Sequence, residues 1–293
     1  MNKLLPIAAV LFLLMSGCNN AKKETTAPGE LKISFKHSVD GKELITDNFV
    51  YTNAAGNHYM ISEIQWFLSH PALIRDDGSS HALFGDEGIH YVDTDLPETR
   101  QITATASIPA GNYRGLRFTF GLNEADNRSL RFVNPPRSFM FWPDYLGGGY
   151  HYMKLNGKWI NTNGLEAPFN FHLGIGQEYD STALKSSFVN PDDCCAGKHC
   201  EGFKPPRKMM PVKAFIQNYF EISFEEDIRI ENGKTTLLEL DMQVEKWFNG
   251  KHIYDHNHWG GSIMQLQPAM QQGCENGAEV FRLNVKGFTD ESK

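Results

Sequence analysis

The sequence predicts an all-β fold: a β-sandwich-like single domain with long loops and a Cys-rich insertion. Three observations predict it. Aromatic residues reach 12%, with 20 Phe, 10 Tyr and 5 Trp, and aromatic side chains fit a pleated, half-buried surface. Gly is plentiful, at 26, and supplies the positive φ of tight turns without steric cost. Short stretches that alternate apolar and polar residues recur along the chain, separated by turn dipeptides, as in a sandwich or barrel. All-β domains of ~200–250 residues are routine, so 293 residues fit one large domain behind a leader. Hydrophobic residues at 41% and charged residues at 22% exclude a disordered, collagen-like or polytopic membrane chain. The net charge of −7 argues against nucleic acid as a partner, because a phosphate footprint needs concentrated Lys and Arg.

The first element, residues 1–17, reads as a lipoprotein signal peptide. Lys3 precedes an apolar run from Leu4 to Met15, too short for a stable membrane span. The run ends in Met15-Ser16-Gly17-Cys18, which resembles a bacterial lipobox with Met15 in place of the usual Leu. Cys18 is then the lipidated first residue of the mature protein. Acyl chains would hold it to a membrane in the cell envelope, periplasm-facing or at the cell surface. Residues 18–30 are polar, carry Pro28 and Gly29, and read as a flexible tether.

Residues 31–290 form the predicted β domain. Leu31–His37 alternates cleanly, and Asp40-Gly41 follows as a turn. The segments NFVYTN and HYMISEIQWFLSH are further strands, Asp77-Gly78 is a turn, and Tyr113–Asn123 alternates again. GYHYMKLNGKWINTNG contains Asn156-Gly157, a strong hairpin dipeptide, with PFNFHLGIG as the expected partner strand. A second Asn-Gly turn lies at Asn232-Gly233, and GAEVFRLNVKG supplies a terminal strand. Short helices are expected only at LKSSFV and around 261–273. The stretch at about 185–211, rich in Pro, Cys and Lys, reads as an insertion.

Cysteine and histidine carry the chemical signal. With Cys18 lipidated, Cys194, Cys195, Cys200 and Cys274 remain, an even number that suggests disulfides in an exported protein. A soft-metal site using Cys194, Cys195, Cys200 and His199 is the alternative. Among eleven histidines, the densest run is HIYDHNHWGGSIM, with His252, His256 and His258 within seven residues. If this run is extended, His256 and His258 share one face. His151 and His172 sit in strand-like segments among aromatics, where a half-buried imidazole needs a polar partner or a metal. Imidazole suits copper and zinc alike, and Met153, Met264 and Trp142 favour copper. Asp144 and Asp255 are the expected acceptors for the second ring nitrogens.

Several of these segments together resemble the MbnP-like copper-binding proteins, a family of bacterial exported proteins. The resemblance runs over about 31–287 without the insertion. It is carried by ISFKHSVDGKEL, YMISEIQWFLSHPAL, YRGLRFTFGLN, MFWPDYLGGGYHYMKLNG, FNFHLG and HNHWGGSIMQLQPAMQQGCENGAEVFRL. It implies a mostly β fold, a role in copper homeostasis rather than catalysis, and a copper site of His nitrogens beside a Trp-derived kynurenine. It also implies a dihaem oxidase as partner. Trp142 is the closest match to that aromatic element, although Pro143-Asp144-Tyr145 stands where the family carries a second Trp. The ligands assigned are His151, His172 and His256 or His258, with His37 in the first strand as a further candidate. Copper is the expected ion, and zinc is the alternative.

Two other classes compete with this reading. A zinc or iron metalloenzyme would need an open coordination position and a base such as Asp255 or Glu275. A surface binding module would use Trp66, Trp142, Trp159, Trp247 and Trp259 as platforms. The anchor is directly testable. Cys18→Ala is expected to move the protein from the detergent phase to the aqueous phase of a detergent partition. Identical aqueous partitioning of both forms would exclude lipidation.

Overall fold

The computed structural model describes residues 28–85, 88–180 and 211–290. The signal peptide, Cys18 and the Cys-rich segment with Cys194, Cys195 and Cys200 lie outside the described residues. The strands are β1 (Glu30–Val39), β2 (Lys42–Glu43), β3 (Tyr51–Thr52), β4 (His58–Ile74), β5 (Ser80–Ala82), β6 (Ile89–Asp93), β7 (Gln101–Thr103) and β8 (Gly111–Phe120). They continue as β9 (Met153–Ile160), β10 (Glu166–Leu173), β11 (Gly176–Tyr179), β12 (Val212–Ile216), β13 (Phe220–Ile230), β14 (Lys234–Gln243) and β15 (Phe281–Asp290). Three helices, α1 (Lys246–Asn249), α2 (His256–Trp259) and α3 (Gln267–Gly277), fall between β14 and β15.

Two sheets make the sandwich. The smaller runs β15-β14-β1-β2, with β7 also on β1, and β1 pairs with β14 in parallel. The larger runs β10-β9-β4-β8-β13, with β3, β5 and β6 also pairing with β4. Period-2 alternation turns Leu31, Ile33 and Phe35 of β1 inward, where Phe35 meets Trp66 of β4 edge-on at 5.7 Å. Phe281 of β15 closes the same core against Trp66, Phe118 and Phe120. Burying aromatics of this size supplies most of the hydrophobic driving force of such a domain.

The outer face of the large sheet is covered too. Phe67, one residue beyond Trp66, points the other way and stacks on Phe132 at 5.5 Å beneath the long 121–152 connection. The site described below lies under that connection.

The sequence expectation held for the fold class, for β1, β4, β8, β10 and β15, and for the turn at Asn232-Gly233, where Gly233 has φ 67°. It failed at Asn156-Gly157. This pair lies inside β9, and the hairpin to β10 turns instead at Asn161–Gly164, closed by Asn161 N–H to the Leu165 carbonyl at 2.9 Å. Gly157 serves close packing, since a Cβ there would stand 2.1 Å from the Met60 carbonyl oxygen and 2.6 Å from the Phe169 ring. The expected strand NFVYTN shrinks to Tyr51–Thr52, and the predicted helix at 261–273 begins later and runs to Gly277.

Gly157→Ala is therefore expected to destabilise the protein by about 2–3 kcal/mol, because a rigid backbone carbonyl blocks the methyl. A urea midpoint unchanged from wild type would show that β9 and β4 can separate at this point.

Candidate metal centre

The strand pairing of β9 with β10 decides which histidines meet. His172 lies opposite Lys154 and Asn170 opposite Asn156, so all four side chains share the outer face of the sheet. His172 bonds diagonally to Asn156, Nε2 to Oδ1 at 2.7 Å. His151 arrives from the covering connection. There Phe141 and Tyr150 form an antiparallel bridge, with Trp142 N–H on the Gly149 carbonyl and His151 N–H on the Met140 carbonyl. The turn that closes this small hairpin is Gly147-Gly148-Gly149, all at positive φ. A side chain at Gly149 would strike Asn127, whose Oδ1 instead accepts the Tyr150 N–H at 2.8 Å.

This folding places the His151 and His172 rings 4.9 Å apart and nearly perpendicular. Trp142, fully buried, stands edge-on to His151 at 4.6 Å and donates its indole N–H to the Leu146 carbonyl. Each imidazole has one nitrogen engaged and one idle. His151 donates Nδ1–H to the Met140 carbonyl at 2.9 Å, and His172 uses Nε2 on Asn156. The remaining atoms, Nε2 of His151 and Nδ1 of His172, are buried and have no hydrogen-bond partner. Burial holds both rings neutral: it lowers the His151 pKa to about 3 and that of His172 to about 2, with the Lys154 charge adding to both. Lys154 is itself pinned, donating from Nζ to the Phe139 carbonyl. The pair therefore offers two unprotonated imidazole lone pairs beside an indole and one nearby positive charge.

The other sequence candidates lie elsewhere. His256 is fully buried, but against Phe169 at 4.4 Å. Phe169 and His172 point to opposite faces of β10, so the sheet separates His256 from the pair. His256 sits instead in a cage of Tyr59, Trp159, Phe169, Phe248 and Tyr254, and both its ring nitrogens lack partners. The run around it is helical rather than extended, so His258 does not share its face and is exposed. His37 accepts the Trp66 indole N–H at 3.2 Å inside the sandwich core. Among the described residues, no group of three or more His, Cys, Asp and Glu could hold a metal. Of the histidines expected to converge, only His151 and His172 come together.

Supporting roles also moved. Asp144 accepts from Ser129, and Asp255 caps α2 through the Asn257 N–H, so neither reaches a ring nitrogen of the pair. Glu275 binds Lys251 and His252. Met153 alternates with Lys154 and faces the core. Trp66, Trp142 and Trp247 are fully buried and Trp159 nearly so, which leaves only the half-buried Trp259 of the five as a surface platform. Cys274 is a thiol bonded to the Asn218 carbonyl, with burial pushing its pKa up to about 12; its expected disulfide partners lie outside the described residues. Asn156 and the Met140 carbonyl, which orient the two rings, went unrecognised in the sequence. The Asn-Gly pairing drew attention to a turn, and a backbone carbonyl leaves no mark in a sequence.

The family model described as MbnP matches residues 28–265. Among solved structures, MbnP from Methylosinus trichosporium superposes with a TM-score of 0.51 at 14% identity, covering 88% of this chain and 99% of that one. No curated protein matches the chain.

The buried histidines set a pH dependence. Burial depresses His37 and His256 to a pKa of about 3, against an ordinary 6.5. Between pH 6.5 and 3 the unfolded chain binds protons that the native state refuses, so stability is intact above 6.5 and falls as the pH drops through that window. His256→Leu is expected to remove one such group, making the slope shallower by about 1.4 kcal/mol per pH unit. At neutral pH the variant should be at least as stable as wild type, since neither ring nitrogen is satisfied. Urea midpoints measured from about pH 4 to neutrality test this, and an unchanged slope would contradict it.

Proposed function

Because the chain belongs to the MbnP family, we propose that it is a copper-binding protein in which His151, through Nε2, and His172, through Nδ1, would hold one Cu(I) ion. One observation carries this reading. Two adjacent buried imidazoles each spend one nitrogen on a fixed acceptor and leave the other buried without a partner. An unpartnered buried polar atom costs about 1–3 kcal/mol, a cost that a bound ion offsets. The donor set fits copper better than zinc. Structural zinc takes four ligands and catalytic zinc three plus water, whereas Cu(I) accepts fewer. The neighbouring Lys154 ammonium favours an ion of single charge over one of double charge.

The protein's own residues bind, orient and shield. Met140 and Asn156 fix the two rings, and Trp142 walls the site and keeps water out. The same reading places the protein at a membrane through Cys18 and gives it a dihaem oxidase as partner with Trp142 as the residue concerned, both supported by the family resemblance.

Wild-type protein without a His tag is expected to bind one Cu(I) in competition with a chromophoric chelator. His151→Ala and His172→Ala should each weaken binding by more than about 100-fold, beyond the loss typical of a residue that only supports a ligand. His258→Ala and His256→Leu should bind as wild type. Unchanged copper stoichiometry and affinity in both alanine variants would overturn the assignment.

A further inference from the structure

His172 can offer Nδ1 only if its proton sits on Nε2, and nothing on β10 itself enforces that tautomer. Its Nε2 faces the side-chain amide of Asn156, and an amide can turn either end toward a ring. With the oxygen toward His172, Nε2 must carry the hydrogen and Nδ1 is a lone pair. With the NH2 toward His172, Nε2 becomes the acceptor, the proton moves to Nδ1, and Nδ1 can no longer offer a lone pair to a metal. The orientation of Asn156 therefore decides whether the pair can bind.

Glu63 decides the orientation of Asn156. Its Oε1 lies 3.1 Å from Asn156 Nδ2, and an ionised carboxylate only accepts hydrogen bonds. Asn156 must therefore show its NH2 to Glu63 and its oxygen to His172. Register brings Glu63 there. Between Ile61 and Glu63 the pairing of β4 with β9 slips by one residue, so that Ile61 faces Gly157 and Glu63 faces Asn156. This bulge re-aims the carboxylate onto the amide, a use of bulges common near functional sites.

We propose that Glu63 is a positioning residue for the copper site, selecting through Asn156 the His172 tautomer whose Nδ1 is free to bind. The inference rests on the proposed function for its consequence, although the tautomer itself is a property of the metal-free protein. Second-sphere partners of this kind fix ring orientation in many metal sites, and their loss typically costs about 10–100-fold in affinity.

The test uses Glu63→Gln, which keeps shape but gives the partner an amide that can also flip. It is paired with the double variant Glu63→Gln with Asn156→Asp. There, the carboxylate introduced at position 156 accepts from both His172 and the amide introduced at position 63, and so restores the selection. Long-range 1H–15N NMR of the apo proteins reads the His172 tautomer directly, and chelator competition reads Cu(I) affinity. Wild type should show the Nε2–H form alone. Glu63→Gln should show a mixture with the Nδ1–H form and bind Cu(I) about 10-fold more weakly. The double variant should recover both signals. A Glu63→Gln protein with the pure Nε2–H form, or a mixture that the double variant does not reverse, would overturn the proposal. If wild type binds no copper, the function reading fails, and the apo tautomers alone decide the role of Glu63.

Discussion

Two neighbouring imidazole rings each bury one nitrogen with nothing to bond, Nε2 of His151 and Nδ1 of His172, while the opposite nitrogen of each ring is tied to a fixed acceptor. That arrangement is costly in a domain whose net stability is small, because buried polar groups are almost always satisfied. It persists because each ring is held by elements with independent reasons to be in place. His172 is fixed by the β9–β10 ladder and His151 by a glycine-closed hairpin anchored on Asn127. The two supports come from different layers of the molecule, so neither ring can relax without disturbing its own layer.

The sandwich makes this possible by using both faces of the large sheet. Its inner face meets the small sheet through Trp66, Phe118 and Phe120. The outer face is roofed by the 121–152 connection, with Phe67 and Phe132 in contact. A sheet covered on both sides shelters positions on its outer face, where the half-buried Glu63 and Asn156 and the buried His172 interact at lower dielectric than at an open surface. The roof alternates as a strand does: Met140 and Trp142 are buried, whereas Phe139 and Phe141 are exposed. Its inward residues therefore line the site, and its backbone carbonyls hold both His151 and Lys154.

His256 shows the same residue type under the opposite circumstances. It too is buried, neutral and without partners, but its neighbours are rings, and no second imidazole approaches it among the described residues. Histidine density along the chain marked this segment as the richer candidate. Density is a local property, whereas a metal site needs convergence of side chains from distant elements. The His252–His258 run spends its three imidazoles on three tasks: a hydrogen bond with Glu275, an aromatic cage, and solvent.

What the sequence determined by itself was whatever rests on local periodicity and composition. Alternating apolar residues made β1, β4, β8, β10 and β15 legible, and with them the all-β class. The family's segments marked His151, His172 and Trp142, but together with His256 or His258, which the sheet separates from them. Tertiary structure alone decided the rest. Whether Asn156-Gly157 turns or continues depended on the Met60 carbonyl and the Phe169 ring packed against it, contacts from other strands. Which histidines meet depended on the register of β9 against β10 and on the face each side chain takes, and a period-2 pattern cannot reveal pairing partners. The acceptors that leave one nitrogen free on each ring are a backbone carbonyl and an amide oriented by a carboxylate 93 positions away. Such bonds depend on where the chain returns in space, and a linear sequence does not encode that return in any local signal.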